Sequence, residues 1–315
     1  MEEQEVLKRK VKNASELKSL VKIMKTLSAA NIREYGRAAE SLAEYNRTIE
    51  LGLQVVMMHR AREPEAVEQS SAAWQSKAVE RSGLTGHPRM KARLGVVIFG
   101  SDQGLIGKFN EQIAGFAIDR LREIEHEDLA ALAVGERVIA RLEEAGLHIE
   151  SHCSFSGSSL GITQVMLDVL LKVEEWRLDR GVDQIILFYN RPATGAAFDP
   201  HMVYLYPLDT AWLRSLAGKK WPSRTIPAFS MGSDELFSSL VRQYIFFSLY
   251  RAFAESLASE NASRLLSMQL AEKNIEGHLS ELTVQLHRQR QDAITSELMD
   301  VVTGFLAQVD EDRGG

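Results

Sequence analysis

Cysteine is almost absent from this 315-residue sequence, and long apolar runs are missing from it. The one cysteine, Cys153, excludes an internal disulfide and a cysteine-rich metal site. No apolar run approaches the roughly 18–20 residues that a membrane helix needs. The acidic start, Met1–Glu5, lacks the apolar core of a secretory signal. These features predict a soluble protein whose association with a membrane, if any, is peripheral.

The sequence also lacks common signatures of metal and nucleotide sites. His-Glu-x-x-His, Gly-x-Gly-x-x-Gly and the Walker loop are missing, and the eight histidines show no metal-ligand spacing. Ser101–Gly107 contains glycines between a predicted strand and a predicted helix, where phosphate-binding loops lie. Its spacing favours a tight strand-to-helix turn over a nucleotide site. We therefore expect no metal ion and no cofactor.

The charge is modest overall but unevenly placed. A net charge of −6 and a pI near 5.8 argue against a general nucleic-acid binder. The stretch from Lys8 to Arg37, however, holds nine basic residues against two acidic ones. This asymmetry indicates either an acidic partner surface or a solvated helix face that balances acid elsewhere in the chain.

Proline is missing from both ends of the sequence, since all seven prolines lie between Pro64 and Pro227. Apolar and small residues recur at steps of three and four near both ends, which predicts helices over Glu3–Arg60 and Ser233–Ala307. At about 1.5 Å per residue these helices would be roughly 85 Å and 110 Å long. Ser233 has the residue type and position of an N-cap. The steps resemble those of a coiled coil.

The middle of the chain has a different period. Strands alternate with helices, which predicts a mainly parallel sheet with helices on both faces, a Rossmann-like α/β arrangement. The predicted strands are Leu94–Phe99, Leu129–Val134, Leu147–Cys153, Gln184–Tyr189 and Met202–Tyr206. The predicted helices are Lys108–Arg122, Glu136–Glu144 and Ser158–Arg180.

These patterns predict an α/β domain inserted between two long helices that form an antiparallel coiled coil. The segments are an N-terminal helix at 1–62, a linker at 63–92, the α/β domain at 93–208, a second linker at 209–232, a C-terminal helix at 233–308 and a tail at 309–315. The C-terminal helix would exceed the N-terminal one by about 25–30 residues, at the same rise per residue. We expect that excess to protrude or to pair with another partner.

Four stretches together resemble one family. They are Leu20–Arg33, the turn Ser101–Asn110, Leu257–Met268 and Arg290–Leu298. In this order they are similar to segments of the gamma subunit of F-type ATP synthase, the central rotor stalk, and they span nearly the whole chain. The turn differs from the family pattern at Gln103 and Ile106, as do Lys25 and the Arg288–Arg290 run, which fits a divergent or alternative bacterial complex.

The resemblance implies a non-catalytic subunit, with no catalytic residue of its own. It would rotate inside a ring of α and β subunits and couple ion flow through the membrane to ATP synthesis or hydrolysis on β. Its other implied partners are the epsilon subunit and the c-ring, with no nucleic acid, and its implied location is peripheral, on the cytoplasmic face of the bacterial plasma membrane. The implied β contacts are Met24, Lys25, Arg264, Arg290, Gln291 and Thr295; the implied tip in an apolar collar is Val301, Val302, Phe305 and Leu306.

Two alternatives remain open at this point. One is an α/β enzyme that carries a coiled-coil arm; it needs a ligand-binding loop at the carboxyl ends of the strands, for which Asp102 and Gln103 give little support. The other is a purely structural coiled-coil scaffold, which would form a stable homodimer.

Overall fold

The computed structural model describes residues 2–62, 92–155, 157, 159–193, 198–225 and 227–313. Six helices and five strands are assigned there. The helices are α1 (Glu2–Arg62), α2 (Phe109–Glu123), α3 (Glu136–Glu144), α4 (Ser159–Asp179), α5 (Thr210–Gly218) and α6 (Ser233–Arg313). The strands are β1 (Ala92–Phe99), β2 (His126–Val134), β3 (Ser151–Cys153), β4 (Gln184–Pro192) and β5 (Phe198–Tyr206). Most of the predicted first linker, Pro64 and Pro88 included, lies outside the described residues.

The two terminal helices are continuous over 61 and 81 residues. Helix α6 runs through Asp310 to Arg313, where a tail was predicted, because no glycine or proline interrupts it between Ala307 and Arg313. The prediction that Ser233 caps this helix is wrong. The Ser233 hydroxyl is buried and makes no hydrogen bond with the described residues, while the Leu236 amide donates to the Gly232 carbonyl oxygen.

The sheet has the strand order β3-β2-β1-β4-β5. β1 pairs in parallel with both β2 and β4, β3 extends the parallel part, and β5 pairs antiparallel with β4. The prediction of a mainly parallel, Rossmann-like sheet is confirmed. β1 is buried on both faces from Leu94 to Phe99, which explains why it reads as a continuous apolar run rather than as an alternating one.

Each face of the sheet is covered by a different apolar layer. On one face, α2 and α3 pack on alternate strand residues such as Val96 and Ala131. On the other face, Val97 and Leu132 join a larger cluster with residues of α4, α1 and α6. Trp176 of α4 is fully buried in this second layer. The helices therefore cover both faces, as predicted.

Residues 210–218, inside the predicted second linker, form the helix α5. Asp209 caps it, because its carboxylate accepts a hydrogen bond from the Ala211 amide at 2.8 Å. Leu213 and Leu216 are buried on its inner side. This helix was not predicted, because it is short and lies close to Pro207.

The chain forms two compact units. One contains residues 28–264 and the whole sheet, and the other contains residues 1–27 and 265–315. In the first unit, Asn31 of α1 bonds Asn261 of α6, and Arg60 bonds Asp234. In the second unit, Lys18 contacts Glu276 and Lys25 contacts Glu272. Higher numbers on α1 face lower numbers on α6 within each unit, so the predicted antiparallel pairing is confirmed.

None of the helices among the described residues combines the length and apolar character that crossing a bilayer requires.

A glycine to alanine change tests how tightly the loops after β1 and β2 are packed together. Gly135 has φ +101°, and a Cβ there would lie 2.7 Å from the Ser101 backbone nitrogen. We expect Gly135→Ala to lower the free energy of unfolding by more than the about 1–3 kcal/mol of backbone strain alone. Gly146→Ala is the matched control, because Gly146 has φ +88° and open space around it. Equal losses in urea unfolding would contradict the packing argument.

Candidate functional site

The turn Ser101–Gly107 lies at the carboxyl end of β1, beside the point where the strand order reverses. In open α/β sheets that crevice is the usual ligand site. Here both carboxylate oxygens of Asp102 accept hydrogen bonds from backbone amides, from Glu136 N at 3.0 Å and from Phe155 N at 2.7 Å. Its negative charge lies at the N-terminus of α3, where the free backbone amides and the helix dipole stabilise it. These two bonds tie the turn to the segments that follow β2 and β3.

Side chains of α2 and α6 hold the turn in one conformation. Asn110 accepts from the Ser101 amide at 3.1 Å and donates to the Ser101 hydroxyl at 2.9 Å. The Ser263 hydroxyl of α6 donates to the Ile106 carbonyl oxygen at 2.6 Å. Leu105 adopts φ +63° and leaves 62% of its surface exposed. These bonds attach α6 directly to the first turn of the sheet.

The α6 segment from Ser256 to Arg264 is polar and nevertheless buried. It overlaps Leu257–Met268, one of the stretches on which the family resemblance depends. Buried polar residues need hydrogen-bond partners. Most in this segment find them locally, on α1 or on the turn after β1, while the buried Arg264 Nε bonds none of the described residues. Its buried polar members are Ser256, Ser259, Glu260, Asn261, Ser263 and Arg264.

Glu260 and Arg264 form an ion pair at the centre of this segment. Arg264 Nη2 lies 2.6 Å from Glu260 Oε1, and the side chains of Glu260 and Arg264 are 9% and 7% exposed. Burial raises the pKa of Glu260, Arg264 opposes that shift, and the nearby charge of Asp102 adds to it. The pKa of Tyr35 on α1 is also raised, mainly by burial, and its hydroxyl donates to the Gly157 carbonyl oxygen at 3.3 Å.

Arg264 is therefore an internal residue of this unit. The resemblance implied a contact with a partner subunit, and in this chain its guanidinium is already paired. The signal was available in the sequence, since Glu260 precedes Arg264 by four residues on a helix, and small residues surround both. The helical periodicity did not indicate that Arg264 is buried, because charged residues are usually exposed.

The pattern Gly-x-Ser-x-Gly, typical of hydrolase nucleophile turns, occurs at residues 157–161. It follows β3, a three-residue edge strand, whereas the hydrolase turn presents its serine at the top of the sheet. The carbonyl group of Gly157 already accepts the Tyr35 hydroxyl. The side chain of Ser159 lies outside the described part of the chain. We assign this pattern no catalytic role.

In the unit of residues 1–27 and 265–315, the predicted contacts divide into paired and exposed ones. Met24 and Lys25 are half-buried, and the Lys25 ammonium contacts Glu272. Arg290, Gln291 and Thr295 are exposed. The Thr295 hydroxyl donates to the Gln291 carbonyl oxygen at 2.9 Å, within the helix.

The far part of α6 is open along its length. Every side chain from Arg290 to Thr303 is exposed, including Val301 at 72% and Val302 at 45%. The side chains of Phe305 and Leu306, which complete the predicted tip, lie outside the described part of the chain.

The family model described as ATP synthase matches residues 3–307. The chain belongs to the ATP synthase family. Family relatives include the ATP synthase gamma chain of Polynucleobacter asymbioticus, 23% identical over 306 residues, covering 96% of this chain and 98% of that one. The gamma chain of Aquifex aeolicus is 24% identical over 96% of both chains. That of Nitrosomonas europaea is 29% identical over 68% of this chain and 74% of that one.

Solved structures of the family share the fold. A chain of the Euglena gracilis mitochondrial ATP synthase, in a structure of its OSCP, F1 and c-ring, aligns with a TM-score of 0.56 and 16% identity, covering 97% of this chain and 94% of that one. A chain of the Tetrahymena thermophila mitochondrial ATP synthase, from its central stalk and c-ring, aligns with a TM-score of 0.51 and 18% identity, covering 80% and 99%.

Removing Arg264 tests whether its cation compensates the buried charge of Glu260. Arg264→Met leaves Glu260 buried without its cation, and we expect a loss of about 3–5 kcal/mol in unfolding free energy near neutral pH. The raised pKa of Glu260 rises further, so the folded state takes up a proton more readily than the unfolded state. The loss should therefore shrink as the pH falls through the folded-state pKa.

The matched control for that experiment is the double variant Glu260→Gln with Arg264→Met. It removes the uncompensated charge, so denaturant unfolding across pH should show a smaller loss and little pH dependence. A single variant whose loss stays constant with pH would contradict the assignment.

Proposed function

We propose that this chain is the gamma subunit of a rotary ATP synthase, the non-catalytic central stalk. It turns inside a ring of α and β subunits and couples ion flow through the membrane to ATP synthesis or hydrolysis on β. The sheet-containing unit contacts the epsilon subunit and the c-ring. The complex sits at the cytoplasmic face of the bacterial plasma membrane, with this chain peripheral to it.

The observation that carries this proposal is the open helix surface at the end of α6. From Arg290 to Thr303 every side chain is exposed, and apolar residues recur among them. Exposed apolar surface of this extent marks a binding site for other protein chains. Its large exposed members are Ile294, Leu298, Met299, Val301 and Val302. A stalk enclosed by a ring of subunits accounts for this surface.

The enzyme alternative loses its support in the turn. Asp102, one of the two residues on which that alternative depended, has both carboxylate oxygens bonded to backbone amides. A ligand would have to replace two hydrogen bonds that already fix the turn. The stalk proposal requires no ligand there.

A stalk works by contacting three β subunits with three different faces. A face changes a β conformer ratio only through the difference in contact free energy between the conformers. About 1.4 kcal/mol of difference changes the ratio tenfold. Rotation then carries each β through the series of faces, and the chain needs no catalytic group of its own.

The proposed β contacts are not equivalent. Arg290, Gln291 and Thr295 are exposed and accessible to a partner. Lys25 and Arg264 are paired within the chain, so a β carboxylate would have to compete with Glu272 or Glu260 for them. We propose that Met24 and the exposed trio form the main contact, and that Val301, Val302, Phe305 and Leu306 run in the apolar collar.

The test is assembly with the chain's own α and β subunits. We expect a stable complex that hydrolyses ATP. The double variant Arg290→Ala with Gln291→Ala should lower the hydrolysis rate about tenfold, the effect of about 1.4 kcal/mol lost from the transition state. It should leave the thermal unfolding of the chain unchanged, because both side chains are exposed.

Ser296→Ala is the matched control, since Ser296 is also exposed but lies about 120° around the helix from Arg290 and about 140° from Gln291 at 3.6 residues per turn. Equal effects of the two changes would refute the proposed face. Failure to assemble, together with a stable homodimer by light scattering, would favour the scaffold alternative.

A further inference from the structure

In the unit of residues 1–27 and 265–315, opposite charges line up between α1 and α6. The Lys18 ammonium lies 2.9 Å from a Glu276 carboxylate oxygen, and the Lys25 ammonium contacts Glu272. Lys22, between the two lysines, also acts on Glu272 through its charge. Three cations of α1 thus oppose two carboxylates of α6.

We infer that Glu272 and Glu276 are positioning residues that hold α1 and α6 in register within this unit. The apolar contacts of two paired helices tolerate sliding by a turn unless polar pairs oppose it. Lys18 and Lys25 lie two turns apart, and a slide of one turn would move both away from their carboxylates and bring Lys22 to only one of the two. The ion pairs therefore select one axial setting of the helices.

The solvent exposure supports this role more strongly for one pair than for the other. The side chains of Lys25 and Glu272 are 32% and 18% exposed, whereas those of Lys18 and Glu276 are 38% and 53% exposed. Water and salt screen the exposed pair more strongly. The bond from Lys25 lowers the pKa of Glu272, so this pair stays charged in mildly acidic solution. Lys25 and Glu272 are thus the main determinant of the register.

The basic stretch from Lys8 to Arg37 could either face an acidic partner or balance acidic residues of the same chain, and two of its lysines do the latter. Lys18 and Lys25 are balanced by acidic residues of the same chain. Lys22 is exposed and pairs with no described carboxylate within ion-pair distance. It is left to face any acidic partner. The ammonium group of Lys25 belongs to the internal structure of the unit, although its position in the sequence resembles a partner contact.

The test is a charge swap in the full-length chain. Lys25→Glu and Glu272→Lys should each lower the thermal unfolding midpoint by about 2–4 °C, the shift that a modest stability loss produces in a chain of this size class. The double variant with both changes should recover most of the loss. The effect should be large in about 0.01 M salt and small in about 1 M salt, where the Debye length falls from about 30 Å to about 3 Å.

Lys8→Glu and Lys273→Glu are the matched controls, one on each helix. Both lysines are exposed and form no ion pair with any described residue. Single changes at Lys25 or Glu272 that have no larger effect than these controls would overturn the inference. So would a double variant that stays as unstable as the single ones.

A second measurement separates this inference from the proposed function. The unfolding of the isolated chain tests the register, whereas the ATP hydrolysis rate of the Lys25 variants in the complex with α and β tests the proposed function, because Lys25 is one of the proposed β contacts. Failure of the wild-type chain to assemble would refute the proposed function alone, because the unfolding measurements use the chain by itself.

Discussion

Two helices of 61 and 81 residues cannot each bury an apolar stripe alone, and the structure depends on this constraint. In the sheet-containing unit, α1 and α6 satisfy it by packing into the same cluster as one face of the sheet, where Leu53 and Phe253 are almost completely buried. Hydrophobic burial is non-directional, so it fixes which faces meet but not their axial setting. The polar contacts supply the setting: Asn31 with Asn261, and Lys25 with Glu272.

Periodicity was sufficient to predict the helices and the sheet because those features depend on local spacing. β1 was recognisable as an unbroken apolar run, and α3 has the predicted bounds Glu136–Glu144. Spacing alone predicted the pairing of Glu260 with Arg264 but not its burial, because the burial also depends on the turn after β1, where Ile106 lies 157 residues from its partner Ser263. Helix α5 escaped because nine residues give too few turns for a clear period.

Burying the polar segment of α6 carries a desolvation penalty, and hydrogen bonds within one unit offset much of it. Ser263 bonds the Ile106 carbonyl group, Glu260 bonds Arg264, and Asn261 bonds both the Leu257 carbonyl group and Asn31. An apolar segment would pack as densely but would permit several rotational settings of α6. Polar pairs allow few settings, because misplacing one leaves a buried group unsatisfied. That property suits the proposed role of α6 as part of a rotating stalk.

The division into units has a consequence for the order of folding. Residues 1–27 and 265–315 form one unit although the whole of the other unit separates them in the sequence. Closing so long a loop is entropically unfavourable while residues 28–264 are unfolded. Once those residues are folded, they bring the ends of the loop close together. The segments 1–27 and 265–315 can then pair with little further loss of conformational entropy. The sheet-containing unit therefore acts as an intramolecular template, and the early-synthesised α1 segment must wait unpaired for the last part of α6 to be made.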